Sequence, residues 1–313
     1  MNVLKPDKPN ENSIGYFPLL KQNSSFRNLW YGQVISELGN WVNSIALYAL
    51  ILQLTGSGMA MAAAMMAKLL PMVIISPFAG VLIDRMDRRT VLIASDILRC
   101  FTVLCFLIVE SREDLWLVYT LTLFEVALTG FFEPARSAIL PSIVEKNHLV
   151  TANALSGATW SVMLTLGAAL GGVVVSLFGI RIAFILDALT YLLSAWFIIK
   201  VSCPNTKPEE SIKKIKSRGV KGFREGLRYL TSRPIVLALA LLKSGMAIKG
   251  GIMTLIPLFA NRLWSDPAAV SMAVGILFSS RGVGSAIGPI LTRKYFGESP
   301  KTLQGSILAA FFL

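Results

Sequence analysis

Histidine is almost missing from this chain: His148 is the only one in 313 residues. A histidine-based triad or a zinc-hydrolase site therefore has almost no raw material, and neither a GxSxG nor an HExxH pattern occurs. The cysteines, Cys100, Cys105 and Cys203, stand at no metal-binding spacing with histidine, so no metal site and no cofactor are expected. No lysine directly follows a glycine, which excludes a Walker loop. An enzyme is not expected from such a set. Charge is also scarce: charged residues make up 15% of the chain against 54% hydrophobic ones. With a mean hydropathy of +0.62 there is too little polar material to cover a soluble domain of this size.

What is there is a series of long apolar runs. Spans are predicted at residues 29–54, 59–83, 90–110, 115–133, 152–177, 182–202, 235–260, 269–291 and from 303 onward. Residues 1–28 are polar and lack a signal-peptide core, so the first span is its own insertion signal. The net charge of +12 would suggest nucleic acid in a soluble protein, but no basic patch with interleaved aromatics occurs, and topology explains the bases. Segments assigned to one side carry Lys5, Lys8, Lys21, Arg27, Arg85, Arg88, Arg89, Arg136, Lys146, ten bases from Lys200 to Arg233, Arg293, Lys294 and Lys301. Those assigned to the other carry only Arg112, Arg181 and Arg262, which puts the N-terminus in the cytoplasm and the chain in the inner or plasma membrane.

The predicted fold class is all-α: a polytopic membrane helix bundle with a six-helix N-terminal half and about three helices of a second half. Residues 1–28 form a cytoplasmic tail, 29–202 the first bundle, 203–233 a central cytoplasmic loop and 234–313 an incomplete second bundle. Within the loop, Phe223, Leu227 and Leu230 share one helical face, as in an amphipathic helix lying on the bilayer. Short turns at Thr55–Gly58 and Ser111–Asp114 require antiparallel neighbours. Pro134 and Pro141 bracket a separate short element after the fourth span, with Glu133 and Arg136 spaced to pair.

The densest charge lies in Gly80 to Arg89, GVLIDRMDRR, where Gly80, Asp84, Arg85, Arg88 and Arg89 form a loop between the second and third spans. Gly80, Asp84 and Arg85 recur 208 positions later as Gly288, Thr292 and Arg293, a degraded copy that implies two repeated halves. The loop resembles the signature of major facilitator superfamily transporters, with Asp87 where the second glycine is usual. LWYGQVISELGNW, FFEPARSAILPSIV, ANALSGATWS, LGAALGG and SRGVGSAIGP look like the macrolide-efflux and enterobactin-exporter-like branch. The resemblance implies twelve helices, so a chain ending at Leu313 is expected to be a fragment or truncated product. It further implies that Asp84 latches the cytoplasmic side, and that the first, fourth, seventh and tenth spans line the substrate cavity. Many relatives carry an acid where this chain has Asn40; Glu37, one turn earlier, is the candidate replacement. Small residues at four-residue spacing, Gly167 with Gly171 and Gly284 with Gly288, are expected to let helices approach closely.

Ionisable residues inside spans cost about 2.5 to 3.5 kcal/mol each at a helix centre, so they should face one another or a wet cavity. Glu37 and Glu125 are the candidates for proton coupling, and Asn40, Lys243, Lys249 and Arg281 for the substrate cavity. Asp96 with Arg99, and Asp187 with Arg181 nearby, read as structural; Lys68 is undecided. The expected function is secondary active export of a small organic molecule by a monomer, with protons as coupling ion, by alternating access. The alternatives are a non-transporting remnant and an exporter of an anionic, siderophore-like compound.

Overall fold

The computed structural model describes residues 14–83, 86–203, 228, 231–233, 253 and 255–296. They form helices α1 Tyr16–Gln22, α2 Ser24–Thr55, α3 Gly58–Ile83, α4 Arg88–Cys105, α5 Leu115–Ile143, α6 Leu149–Phe178, α7 Ile180–Ile199, α8 Leu255–Leu263 and α9 Pro267–Phe296. No strand occurs among the described residues. The first six predicted spans coincide with α2 to α7 and the eighth with α9, while α8 covers only the end of the seventh. The ninth span, the Phe223–Leu230 face, Lys243 and Lys249 lie outside the described residues. Six of the helices are long and apolar enough to cross a bilayer by length and composition. A further one, α3, runs 26 residues with Lys68 as its only charged side chain.

Helix ends follow from local chemistry. Asn23 caps α2 by accepting from the Phe26 amide at 2.9 Å, while its own amide donates to Ile143 O at 2.6 Å and ties the start of α2 to the end of α5. Gly56 ends α2 at φ 58, a left-handed conformation that favours glycine. Ser111 and Asp114 close a reciprocal capping box at the α4–α5 turn. The fourth span is longer than its sequence suggests. Instead of stopping at 133 before a separate proline-bracketed element, α5 is one helix of 29 residues that carries both Pro134 and Pro141 inside it. Each proline removes one donor from the ladder. The guanidinium of Arg88 takes up Ala138 O at 2.8 Å in the turn before Pro141, and packing of α5 on α3 and α4 holds the helix through both breaks.

The bundle is layered along its axis. At the end bearing α1, here the proximal end, a cluster of apolar residues includes Phe26, Leu29, Val91, Leu92, Phe132, Ile139 and Ile198. At the distal end a larger one includes Ile45, Ile51, Val103, Phe106, Val118 and Phe184. Between them four helices carry buried polar groups: Gln33, Ser36 and Asn43 on α2, Ser95, Asp96 and Arg99 on α4, Thr122 and Glu125 on α5, Asp187 and Ser194 on α7.

Close approach at the α6–α9 crossing depends on missing side chains. A Cβ on Gly275 would lie 2.7 Å from Ala168 O and 2.8 Å from the Gly172 Cα, backbone atoms that cannot move aside. Gly167 and Gly171 behave as the sequence suggests, packing α6 on Trp41 and Val42 of α2. Among the described residues a Cβ on Gly284 meets nothing within 4 Å, and the close contacts of α9 fall on Gly275 and Gly282. Gly275→Val should therefore destabilise the protein by about 1 to 3 kcal/mol through overpacking, whereas Gly284→Val is silent. Thermal unfolding of the two variants in detergent compares them directly.

Candidate functional site

A cavity of about 590 Å³ opens between α2, α5 and α6 on the proximal side of the polar layer. Its walls combine Trp30, Trp41 and Trp160 with Gln33, Glu37, Asn40, Glu133 and Arg136. Arg136 pairs with Glu133 one turn away on α5 at 2.9 Å, as the spacing predicts, and also donates to Gln33 Oε1 at 2.7 Å. Gln33 in turn donates to Glu37 Oε1 at 2.8 Å and to Ser156 O on α6 at 3.1 Å. One glutamine side chain thus joins three helices. Among the described residues, Glu37 Oε2 is left buried with no hydrogen-bond partner.

Behind the cavity lies the polar layer itself. Tyr191 of α7 connects the two: its hydroxyl donates to Asn40 Oδ1, in the cavity wall, and stands 3.3 Å from Glu125 Oε1, which does not line the cavity. Glu125 also accepts from Asn43 Nδ2 at 2.8 Å. Deeper still, Arg99 is buried between the rings of Phe132 and Tyr191, 4.2 and 4.6 Å from their centroids, and pairs with Asp96. Lys68 of α3 donates to Ser44 Oγ at 2.8 Å and lies over the Tyr48 ring. Gly39 makes room for all of this. A Cβ there would sit 2.4 Å from Asp187 Oδ1 and 2.0 Å from Thr190 Oγ1, so only glycine lets α2 meet α7 at the polar layer.

The structure brings Glu37 and Asn40 into one cavity and places Glu125 one hydrogen-bonded step behind them. Arg281 is exposed on α9 and does not line this cavity. Asp96 and Arg99 pair as the sequence suggests, but Arg181 does not serve Asp187: it pairs with Glu110 at the distal surface, at 2.9 Å. Asp187 instead packs against Gly39 of α2 and Thr190 of its own helix. Tyr191, Asn43 and Gln33 went unrecognised in the sequence. A signal for Gln33 did exist, since Gln33, Glu37, Asn40 and Ser44 recur at helical spacing along an otherwise apolar span; Tyr191 had none, because one tyrosine in an apolar helix is ordinary core.

In the charged loop, Gly80 lies in α3, and Asp84 and Arg85 are outside the described residues. Arg88 and Arg89 start α4 and donate to Ala138 O and Ile199 O, tying it to α5 and α7. Asp87 caps the same helix, accepting from the amide and hydroxyl of Thr90 at 2.9 and 2.6 Å. Partial burial works against its ionisation, but the bonds from Thr90 and Arg89 and the Arg89 charge outweigh this and hold its carboxyl below the usual range.

Comparison with known proteins gives one family and several relatives. Residues 14–312 match the family described as transmembrane secretion effector. An uncharacterized MFS-type transporter of Bacillus subtilis, YfiS, is 28% identical over 221 residues, 70% of this chain and 52% of its own length. The candidate bacilysin exporter BacE of the same organism is 29% identical over 280 residues, 88% of this chain and 67% of its own. Macrolide efflux protein A of Streptococcus pyogenes is 23% identical over 291 residues, 92% of this chain and 70% of its own. The chain thus spans about half the length of the first relative and about two thirds of the other two.

Two outcomes follow from this arrangement. Arg99→Met strands Asp96 as an uncompensated buried charge and should cost about 3 to 5 kcal/mol, most of it recovered in the Asp96→Asn/Arg99→Met double variant; unfolding of all four proteins in one detergent gives the coupling. Asp87→Ala should cost about 1 kcal/mol. Because the folded carboxyl titrates below its unfolded value, that stabilisation is complete above about pH 4 and fades as pH falls through the folded value. The difference between parent and variant should shrink accordingly in an acid titration of helix content.

Proposed function

Because the chain belongs to the transmembrane secretion effector family, within the major facilitator superfamily, we propose that it exports a small organic molecule from the cytoplasm across the cell membrane, by alternating access and in exchange for protons. The observation that carries this reading is the pairing of a cavity with a buried carboxyl network. A space of about 590 Å³ lies within the usual range for a pocket that encloses a small molecule, and its walls offer tryptophan faces to an apolar body and Gln33, Glu37 and Asn40 to polar groups. Next to it, Asn40 and Tyr191 lead to Glu125, so occupancy of the cavity and protonation of Glu125 act on one hydrogen-bond chain. A substrate that competes for Asn40 changes what Tyr191 can donate, and with it the stability of a charge on Glu125.

Among the described residues, the charged side chains of the wall are two acids, Glu37 and Glu133, and one base, Arg136. They favour a neutral or cationic molecule over an anionic, siderophore-like one. The relative named for macrolide efflux makes a macrolide a reasonable first probe.

Cells with their own efflux pumps deleted, expressing this chain, should accumulate a labelled macrolide or another neutral or cationic amphiphile less than control cells. A protonophore should abolish the difference, and Glu125→Gln and Glu37→Gln should each reduce it about tenfold or more. Full export by both variants removes these carboxyls from the mechanism, and no export of any amphiphile tried overturns the reading.

A further inference from the structure

We propose that Asp187 is a second proton-carrying carboxyl of this chain, sharing one exchangeable proton with Glu125 across the Asn43 amide. The inference rests on the proton-coupled reading above and adds a residue on a helix that the sequence assigns to scaffolding. Asp187 is completely buried in the middle of α7, its Oδ2 has no hydrogen-bond partner, and it lies in the layer where α2, α4 and α7 meet. No polar surface relieves it there.

Three features of the geometry point the same way. Asn43 lies between the two carboxyls: its Nδ2 donates to Glu125 Oε1 at 2.8 Å, its Oδ1 has no hydrogen-bond partner among the described residues, and Gly39, one turn earlier on α2, lies against Asp187 Oδ1. Second, Tyr191 has a single hydroxyl hydrogen but two acceptors within reach, Asn40 Oδ1 and Glu125 Oε1. When that hydrogen goes to Asn40, only a protonated Glu125 can complete the second contact. Third, the charges of the layer do not balance. Asp96, Glu125 and Asp187 face Arg99 and Lys68, three acids against two bases, so the cluster is neutral when it holds one proton.

The groups around Asp187 leave few other holders for that proton. From α4 it is faced by Arg99, which is committed to Asp96, and by the Cys100 thiol; from α5 by Glu125; and from its own helix by Tyr191 and Thr190. The face of α2 opposite it presents Gly39 and Asn43, and α6, which also packs on α7, has no acidic or basic side chain. The step itself is an exchange of one O–H bond for another, from a Glu125 carboxyl oxygen to an Asp187 carboxyl oxygen, with Asn43 as a positioning residue. A proton arriving from the cavity through Glu125 is thereby withdrawn one helix further from the substrate.

Infrared difference spectroscopy of the full chain in lipid nanodiscs, in light and heavy water, reads protonated carboxyls directly. The parent should show a deuterium-sensitive carboxylic C=O band that persists at neutral pH. Asp187→Asn and Glu125→Gln should each remove most of its amplitude, because either change leaves two acids against two bases and the remaining carboxyl ionised. Thr190→Val removes the hydroxyl 3.3 Å from Asp187 Oδ1 without changing charge, and should shift the band; it decides the matter if Asp187→Asn fails to fold. A band that survives unchanged in amplitude and frequency in the position 187 and 190 variants, yet vanishes in Glu125→Gln, assigns the proton to Glu125 alone: this inference then fails while proton coupling stands. Absence of any such band in the parent overturns both.

Discussion

A guanidinium in a hydrocarbon layer dictates much of what surrounds it. Arg99 is the one base among the fully buried side chains described here, and its charge has to be met entirely by protein. Asp96 supplies the counter-charge from the previous turn of α4, Phe132 of α5 and Tyr191 of α7 close over its two faces, and no solvent is needed. Three helices are fixed to one another by this arrangement. Once Tyr191 is held against Arg99, its hydroxyl is aimed at Asn40 and Glu125, so the polar chain toward the cavity inherits its geometry from the ion pair.

The same constraint explains why polar residues are confined to a layer. A buried polar group is tolerable only where others can satisfy it, so the groups gather at one depth, and apolar clusters close off both ends. Glycine at position 39 is the condition for the layer to form between α2 and α7, because any side chain there would occupy the space of Asp187 and Thr190. The layer is not fully satisfied. Among the described residues Glu37 Oε2, Asn43 Oδ1, Asp96 Oδ2 and Asp187 Oδ2 all lack protein partners.

The packing of α9 on α6 shows how a later helix joins the first bundle. Its contact is backbone on backbone through Gly172 and Gly275, with Gly282 against Thr165 further along, so the approach is set by the absence of side chains. In lipid, where the surrounding tails are as apolar as leucine, close van der Waals contact of this kind is the main force between helices.

The sequence alone determined the fold class, the positions of the first six spans, and the family. Those properties depend on run lengths, on short polar turns and on the loop at Gly80 to Arg89, all of which are local. It also identified Glu37, Asn40 and Glu125, because a carboxyl or amide in an apolar run is costly enough to stand out, and it paired Asp96 with Arg99 and Glu133 with Arg136, which are neighbours on one helix. Tertiary structure decided the rest. That Tyr191 bridges Asn40 and Glu125, that Arg136 reaches Glu37 only through Gln33, and that Asp187 answers to Gly39 and Asn43 rather than to Arg181 are contacts across helices. Their register depends on how each helix is rotated about its axis. Hydropathy fixes how deep a residue lies; which way it faces is fixed only when the helices pack.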